Sequence, residues 1–127
     1  MGKPTYKITG ASAAAKPRNQ RPAVEGFLLL LRELQKIDPE FPLQYAVCLC
    51  EIAMDEGLSL TRLAQKTGMA LSTVSRIVGA LSRDRQKGKP YGLVRVVVSA
   101  AERRRRELYL TVRGKAVIDS IADLSAR

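Results

Sequence analysis

The sequence predicts a mainly α fold with one small β-hairpin, arranged as a winged helix-turn-helix, and three observations carry that prediction. Apolar residues recur at helical spacing through two segments separated only by Gly68-Met69-Ala70-Leu71, a break short enough for a helix-turn-helix pair. A β-branched run from Leu93 to Val98 and an alternating run from Glu107 to Val112 then read as the two strands of a hairpin. Between them lies Ala101-Glu102-Arg103-Arg104-Arg105-Arg106, four consecutive guanidinium groups at a hairpin tip. Such a cluster repels itself unless a polyanion neutralises it, so the hairpin is expected to be a binding element.

Taken in order, residues 1–22 hold five Lys/Arg and no acid, with Pro17 and Pro22 discouraging a helix. They read as a disordered basic arm, leaving residues 23–127 as one domain. A helix is expected from Ala23 to Ile37, with Phe27, Leu30, Leu31 and Leu34 repeating at i, i+3, i+4 and i+7. Leu28 and Leu29 widen that apolar surface, so the helix is expected to face both its own core and a second subunit. Asp38-Pro39-Glu40-Phe41-Pro42 breaks the chain, and Pro42 suits the first turn of a helix from Leu43 to Asp55 that Gly57 stops.

On that helix Leu43, Ala46, Val47, Cys50 and Met54 form the expected apolar face, with Cys48 on the more exposed side beside Gln44, Glu51 and Asp55. Cysteines two residues apart on a helix project about 200° from each other and cannot bridge. The chain has no histidine to complete a zinc site, so both thiols read as small hydrophobes, with a redox-sensing thiol at Cys48 as the alternative. Leu58 is expected as a one-residue strand bridge. Ser59 supplies an N-cap oxygen for a helix from Leu60 to Thr67, with Leu60, Leu63, Ala64 and Thr67 inward and Gly68 ending it.

The following helix is expected to run over residues 71–86, with Val74, Ile77, Val78 and Leu81 inward and Ser72, Thr73, Ser75, Arg76, Gly79, Ala80 and Arg83 outward. Pro90-Tyr91-Gly92 turns the chain into the hairpin, and Thr111 caps a last helix from Val112 to about Ser125 carrying Val117, Ile118, Ile121 and Leu124 on one face.

The net charge of +10 is unevenly spread: residues 82–106 carry nine basic groups against two acids, while residues 23–81 carry five against seven. A basic tail and a basic hairpin point to a polyanion, with nucleic acid first. No apolar run approaches membrane-spanning length, and the N-terminus lacks the apolar core of a secretory signal, so a cytoplasmic protein with no membrane partner is expected. An enzyme is not expected, since there is no histidine, no Gly-rich phosphate loop and no nucleophile with an evident base. Neither a cofactor nor a metal is expected.

Short hydroxyl and guanidinium side chains at the start of a helix suit base edges and phosphates, arginine pairing bidentately with guanine. The expected DNA-binding set is therefore Ser72, Thr73, Ser75, Arg76 and Arg83 on the helix, with Arg103, Arg104, Arg105 and Arg106 on the wing, residues 99–107. The expected dimer interface is Phe27, Leu28, Leu30, Leu31, Leu34, Ile118 and Ile121.

Gly68 to Arg76, Gly92-Leu93-Val94, the arginine tip and Leu110-Thr111-Val112-Arg113-Gly114 together resemble the MarR family of bacterial winged-helix regulators, in particular its short phage and prophage relatives, over about residues 40–118. The resemblance implies that helix 71–86 enters the major groove. It also implies that Arg104, within Glu102-Arg103-Arg104, is the wing arginine for the minor groove or phosphate. Three positions depart from the family pattern: Ala70 stands where a serine N-cap is usual, Glu102 replaces the wing aspartate, and a typical member continues past the position of Arg127 into another dimerisation helix. Dimerisation is therefore expected to fall on helix 23–37 and the last helix. The expected function is a sequence-specific double-stranded DNA-binding transcriptional regulator, a repressor acting as a homodimer, with no polar constellation that specifies a small-molecule effector. The alternative is a winged-helix interaction module for a protein partner or structured RNA.

Overall fold

The computed structural model describes residues 19–83 and 88–126. Within them the order is α1 (Arg21–Gln35), α2 (Leu43–Met54), α3 (Leu60–Thr67), α4 (Leu71–Leu81), β1 (Val94–Val98), β2 (Arg106–Leu110) and α5 (Val112–Ser125). Most of the expected basic arm, residues 1–18, lies outside the described residues. Its last two positions do not belong to an arm, because α1 starts at Arg21 and takes Pro22 into its first turn. Proline is tolerated there because a first-turn amide has no helical acceptor to lose. At its other end α1 stops at Gln35, two residues short of the expected Ile37.

The core is built where α2, α3, α4 and the hairpin meet. Leu49, Ile52, Leu63, Val74, Ile77, Leu81, Leu93 and Leu108 are fully buried, and Cys48 is among them at 0 % exposure. This reverses the expected roles of the two thiols: Cys48 is core and Cys50 is exposed. The α2 sequence is apolar along two stripes, and the one that contacts α3, α4 and β2 is Tyr45, Cys48, Leu49 and Ile52. Leu43, Val47 and Met54 of the other stripe stay exposed, at 72 %, 40 % and 74 %; of the expected apolar face only Ala46 is buried. Burial, followed by the charge of Glu51, pushes the Cys48 thiol up to about 11, so it is protonated at neutral pH.

Of the helix-turn-helix pair α3 and α4, the reading pair of the sequence expectation, α3 has a local cause at both ends. The Ser59 hydroxyl accepts from the Arg62 amide at the start of α3, and Gly68 closes that helix in the left-handed conformation with φ 73°. Such a cap contributes about 1 kcal/mol. Helix α4 begins at Leu71 with Ala70 as an N-cap that offers no side-chain hydrogen bond.

It ends at Leu81, five residues before the expected Gln86; residues 84–87 lie outside the described residues. The early stop has a hydrogen-bonding reason. The Ala80 and Leu81 carbonyls accept the Tyr91 and Leu93 amides of the returning chain, at 3.0 and 2.8 Å, and the Ser82 hydroxyl donates to the Val78 carbonyl at 2.8 Å. Those acceptors are taken before another helical turn can use them. The returning segment also buries Ala80, at 2 % exposure, which corrects its expected outward placement.

The strands pair antiparallel with Val94 opposite Leu110 and Val98 opposite Arg106. A third segment joins the edge of β2: Leu58 exchanges backbone hydrogen bonds with the hairpin through Leu108 N–H to Leu58 C=O, the isolated bridge lies between Ser59 and Glu107, and Gly57 N–H donates to the Leu108 carbonyl. The bridge thus falls one residue after the expected Leu58. The Glu56 carboxylate accepts the Leu110 amide at 2.9 Å and closes the end of that edge. The Thr111 hydroxyl accepts from the Gly114 amide as the N-cap of α5 and donates to the Gly92 carbonyl, so one side chain starts α5 and pins the hairpin base. Gly114 is required here, because a Cβ would overlap the Leu93 carbonyl oxygen.

Helix α1 packs on α5, yet none of its residues is buried. Its loop to α2 is tied instead to the far side of the reading pair. The Tyr91 hydroxyl donates to the Asp38 carboxylate at 2.6 Å, and Phe41, Tyr45 and Tyr91 meet edge to face with ring centroids 5.1 to 6.1 Å apart.

Candidate nucleic-acid interface

The wing tip is organised from beneath by Ser99, the one buried polar residue among those described. Its hydroxyl accepts from the Ala101 and Glu102 amides at 3.2 and 3.3 Å, while its own amide donates to the Arg105 carbonyl and the Arg105 amide donates to the Glu102 carbonyl. With the backbone turned in on itself, residues 101–106 are all exposed and the arginine side chains are carried outward. No ion pair among the described residues includes Arg103, Arg104, Arg105 or Arg106. Glu102 forms none with Arg104, so the tip geometry comes from Ser99 and not from a carboxylate.

The wing lies beside α4, and two open clefts separate them. The first, about 1050 Å³, runs along the helix past Ser72, Ser75, Arg76, Gly79, Ser82 and Arg83 and is closed on the hairpin side by Val94, Arg95, Val96 and Arg106. The second, about 710 Å³, lies at the N-terminal end of α4 between Ser59, Thr61, Ser72 and Ser75 on one wall and Glu102, Arg104, Arg105 and Arg106 on the other. Ser72, Ser75 and Arg106 line both, so the two form a continuous hydroxyl- and guanidinium-lined surface.

Of the nine DNA-binding residues expected from sequence, seven line these clefts: Ser72, Ser75, Arg76, Arg83, Arg104, Arg105 and Arg106. Thr73 is half-buried and Arg103 exposed, and neither lines a cleft. Ser59, Thr61, Ser82 and Arg95 were not anticipated. Arg95 stands with its guanidinium 4.6 Å from the centre of the Tyr109 ring, and the Tyr109 hydroxyl in turn donates to Glu107 at 3.2 Å, which together with the Glu107 charge holds that phenol above its ordinary range. The alternation of β1 places Arg95 opposite Tyr109, a pairing visible only once the register is known.

Leu71 and Ser72 of the first turn of α4 line the second cleft, and Ala70 gives that turn no side-chain cap. A helix start of that kind presents N–H groups and partial positive charge, which favours an anion. The chemistry available is therefore hydrogen-bond donation and positive charge; the described residues contain no cluster of three metal-ligating side chains, and no described helix is long and apolar enough to cross a membrane.

Of the seven residues expected at a dimer interface, Phe27, Leu28 and Leu31 are exposed, at 60 %, 43 % and 36 %, as is their neighbour Leu29. Leu30 and Leu34 on α1, with Ile118 and Ile121 on α5, are half-buried within the chain.

The architecture has close counterparts. The MepR–DNA complex of S. aureus superposes with a TM-score of 0.68 at 17 % identity, over 84 % of this chain and 81 % of that one. The repressor CouR bound to a 23-mer DNA duplex gives 0.60 at 21 % identity, over 97 % and 80 %. The PcaV transcriptional regulator of Streptomyces coelicolor gives 0.58 at 20 % identity, over 87 % and 77 %. This chain has the fold of the MarR-type winged-helix regulators. The family model of the IclR helix-turn-helix domain matches residues 53–85, the segment from the end of α2 through α4. No curated protein sequence matches the chain. The winged-helix expectation is thus met at the level of fold, including a hairpin that follows the reading pair and precedes a last helix.

Proposed function

We propose that this chain is a sequence-specific double-stranded DNA-binding transcriptional regulator that represses by occupying its operator in the cytoplasm, and that it binds rather than catalyses. The observation that carries the reading is the set of wing arginines, none of them in an ion pair among the described residues, sharing a cleft with Ser72 and Ser75 of α4. Helix α4 enters the major groove, with Arg76 reading a base edge and Ser72, Thr73 and Ser75 close to the backbone. The wing sets Arg104, Arg105 and Arg106 on the adjoining phosphates, and Arg83 follows the same strand from the end of α4.

The active unit is a homodimer. A 15-residue helix with no buried residue is marginal alone, and Phe27, Leu28 and Leu31 of α1 are exposed among the described residues. A second copy related by a two-fold axis supplies that cover and presents two α4 helices to half-sites about one helical turn apart.

Selection of bound fragments from a random duplex library tests the reading. It is expected to enrich an inverted repeat, with Arg104→Ala weakening binding to every duplex and Arg76→Ala also relaxing base preference. Recovery of unrelated sequences, or preferential binding of structured RNA over duplexes of matched length, would reject it.

A further inference from the structure

We infer that Tyr91 is a positioning residue for DNA recognition: its hydrogen bond to Asp38 fixes the orientation of the reading unit against α1, and so sets the half-site spacing that two copies of the chain accept. The inference rests on the homodimeric reading above and adds to it the device that holds the two reading helices at one separation.

The argument starts from where Tyr91 sits. Its amide is bonded to the Ala80 carbonyl, and Leu93 two residues on is bonded to the Leu81 carbonyl, so the residue is locked to the last turn of α4 by the backbone. Its hydroxyl reaches across 53 residues of sequence to the Asp38 carboxylate at 2.6 Å. Asp38 is itself fixed within the α1–α2 loop, where its other carboxylate oxygen accepts the Glu40 amide at 2.9 Å and its carbonyl accepts the Phe41 amide at 2.9 Å. Phe41 and Tyr45 close on the Tyr91 ring from two sides, and Tyr91 is 5 % exposed. The loop that follows α1 is therefore joined to the end of α4 through the Tyr91 phenol.

The other attachment of α1 is side-chain packing. Its contact with the rest of the chain is to α5, with no buried residue of its own. A two-site ligand gains from the second contact only as far as the linkage holds the second module near its site; angular slack in the linkage lowers the effective concentration. A rigid phenol–carboxylate bond at the α1–α2 loop removes that slack where it would matter most, beside the C-terminus of α4.

The experiment uses the full chain and measures affinity for three duplexes: one half-site, two half-sites at the selected spacing, and two half-sites with one base pair inserted. Tyr91→Phe keeps the ring and its edge-to-face neighbours but deletes the bond, whereas Asp38→Asn leaves one acceptor oxygen for two donors, the Tyr91 hydroxyl and the Glu40 amide. The expected result for Tyr91→Phe is unchanged half-site affinity, about tenfold weaker binding to the paired site, and a smaller penalty for the insertion. Asp38→Asn is expected to weaken paired-site binding in the same direction, with half-site affinity unchanged. A Tyr91→Phe protein that keeps the parent's paired-site affinity and spacing preference, or that loses affinity for all three duplexes alike, would overturn the inference and leave the regulator reading in place. A parent protein that gains nothing from a second half-site would instead overturn the dimeric reading on which it rests.

Discussion

Removing two wing charges should change how DNA binding responds to salt by a predictable amount. Arg104 and Arg105 are the pair to replace: both line the cleft beside Ser72, both are exposed, and both precede β2, so Arg104→Gln with Arg105→Gln leaves the paired backbone of Arg106 untouched. Each phosphate contact contributes about 0.9 to the slope of log K against log[salt], so two contacts per subunit in a dimer lower the slope by about 3.6. Over a fourfold rise in salt the parent protein then loses about two orders of magnitude more affinity than the variant. The difference is largest at low salt and narrows as salt rises. Titrations of a fluorescent operator at four salt concentrations read the slope directly, and thermal unfolding checks that the fold is intact, which relief of like-charge repulsion favours. A variant with the parent's slope would show that these arginines do not meet phosphate, and the wing would lose its assigned role.

Four further outcomes follow from particular contacts. Ser99→Ala leaves the Ala101 and Glu102 amides without their acceptor, so it should destabilise the wing by about 1 to 2 kcal/mol and weaken DNA binding more than unfolding measurements alone account for; hydrogen exchange at residues 101–105 checks this. Gly114→Ala forces a methyl group into the Leu93 carbonyl and should cost about 1 to 3 kcal/mol in urea denaturation, far beyond the usual small effect of alanine in a helix. Thiol labelling of the native protein should modify Cys50 alone, with Cys48 reacting only in denaturant.

The raised Cys48 pKa also has a pH signature. The folded state holds the thiol protonated, so its contribution to stability is complete below pH 9.0 and is lost as pH climbs toward about 11. The parent protein should therefore lose stability across that window more steeply than Cys48→Ala.

How much of this was legible beforehand depended on whether a residue's role was set locally. Ser59, Gly68 and Thr111 act on their own helix ends, and all three perform there the capping roles their residue types suggest. The last helix falls within the expected bounds, and the hairpin lies near the expected segments, although its second strand runs Arg106–Leu110 and not Glu107 to Val112, because Thr111 already caps α5. The arginine tip was equally plain, because four like charges in a row have no structural use. What stayed hidden was set by distant chain. The stop of α4 at Leu81 depends on amides from Tyr91 and Leu93, and Ser99 is a generic serine until its hydroxyl is seen to hold two amides of the tip. Arg95 and Thr61 join the cleft only through strand register and helix crossing.

Helix α2 shows the limit most clearly, and its resolution bears on function. Two apolar stripes share that helix, and periodicity alone gives no reason to prefer Leu43, Val47, Cys50 and Met54 over Tyr45, Cys48, Leu49 and Ile52. The choice is made by the rest of the core: the second stripe fits against α3, α4 and β2, with Leu49 and Ile52 completely buried. The first stripe is then apolar surface left over after the fold has satisfied itself, as is the outer face of α1. A chain whose interior is complete yet whose two N-terminal helices both remain apolar outside has more hydrophobic surface than a lone subunit needs. That surplus lies on the helices that carry none of the clefts' arginines, which is the arrangement the proposed homodimer requires.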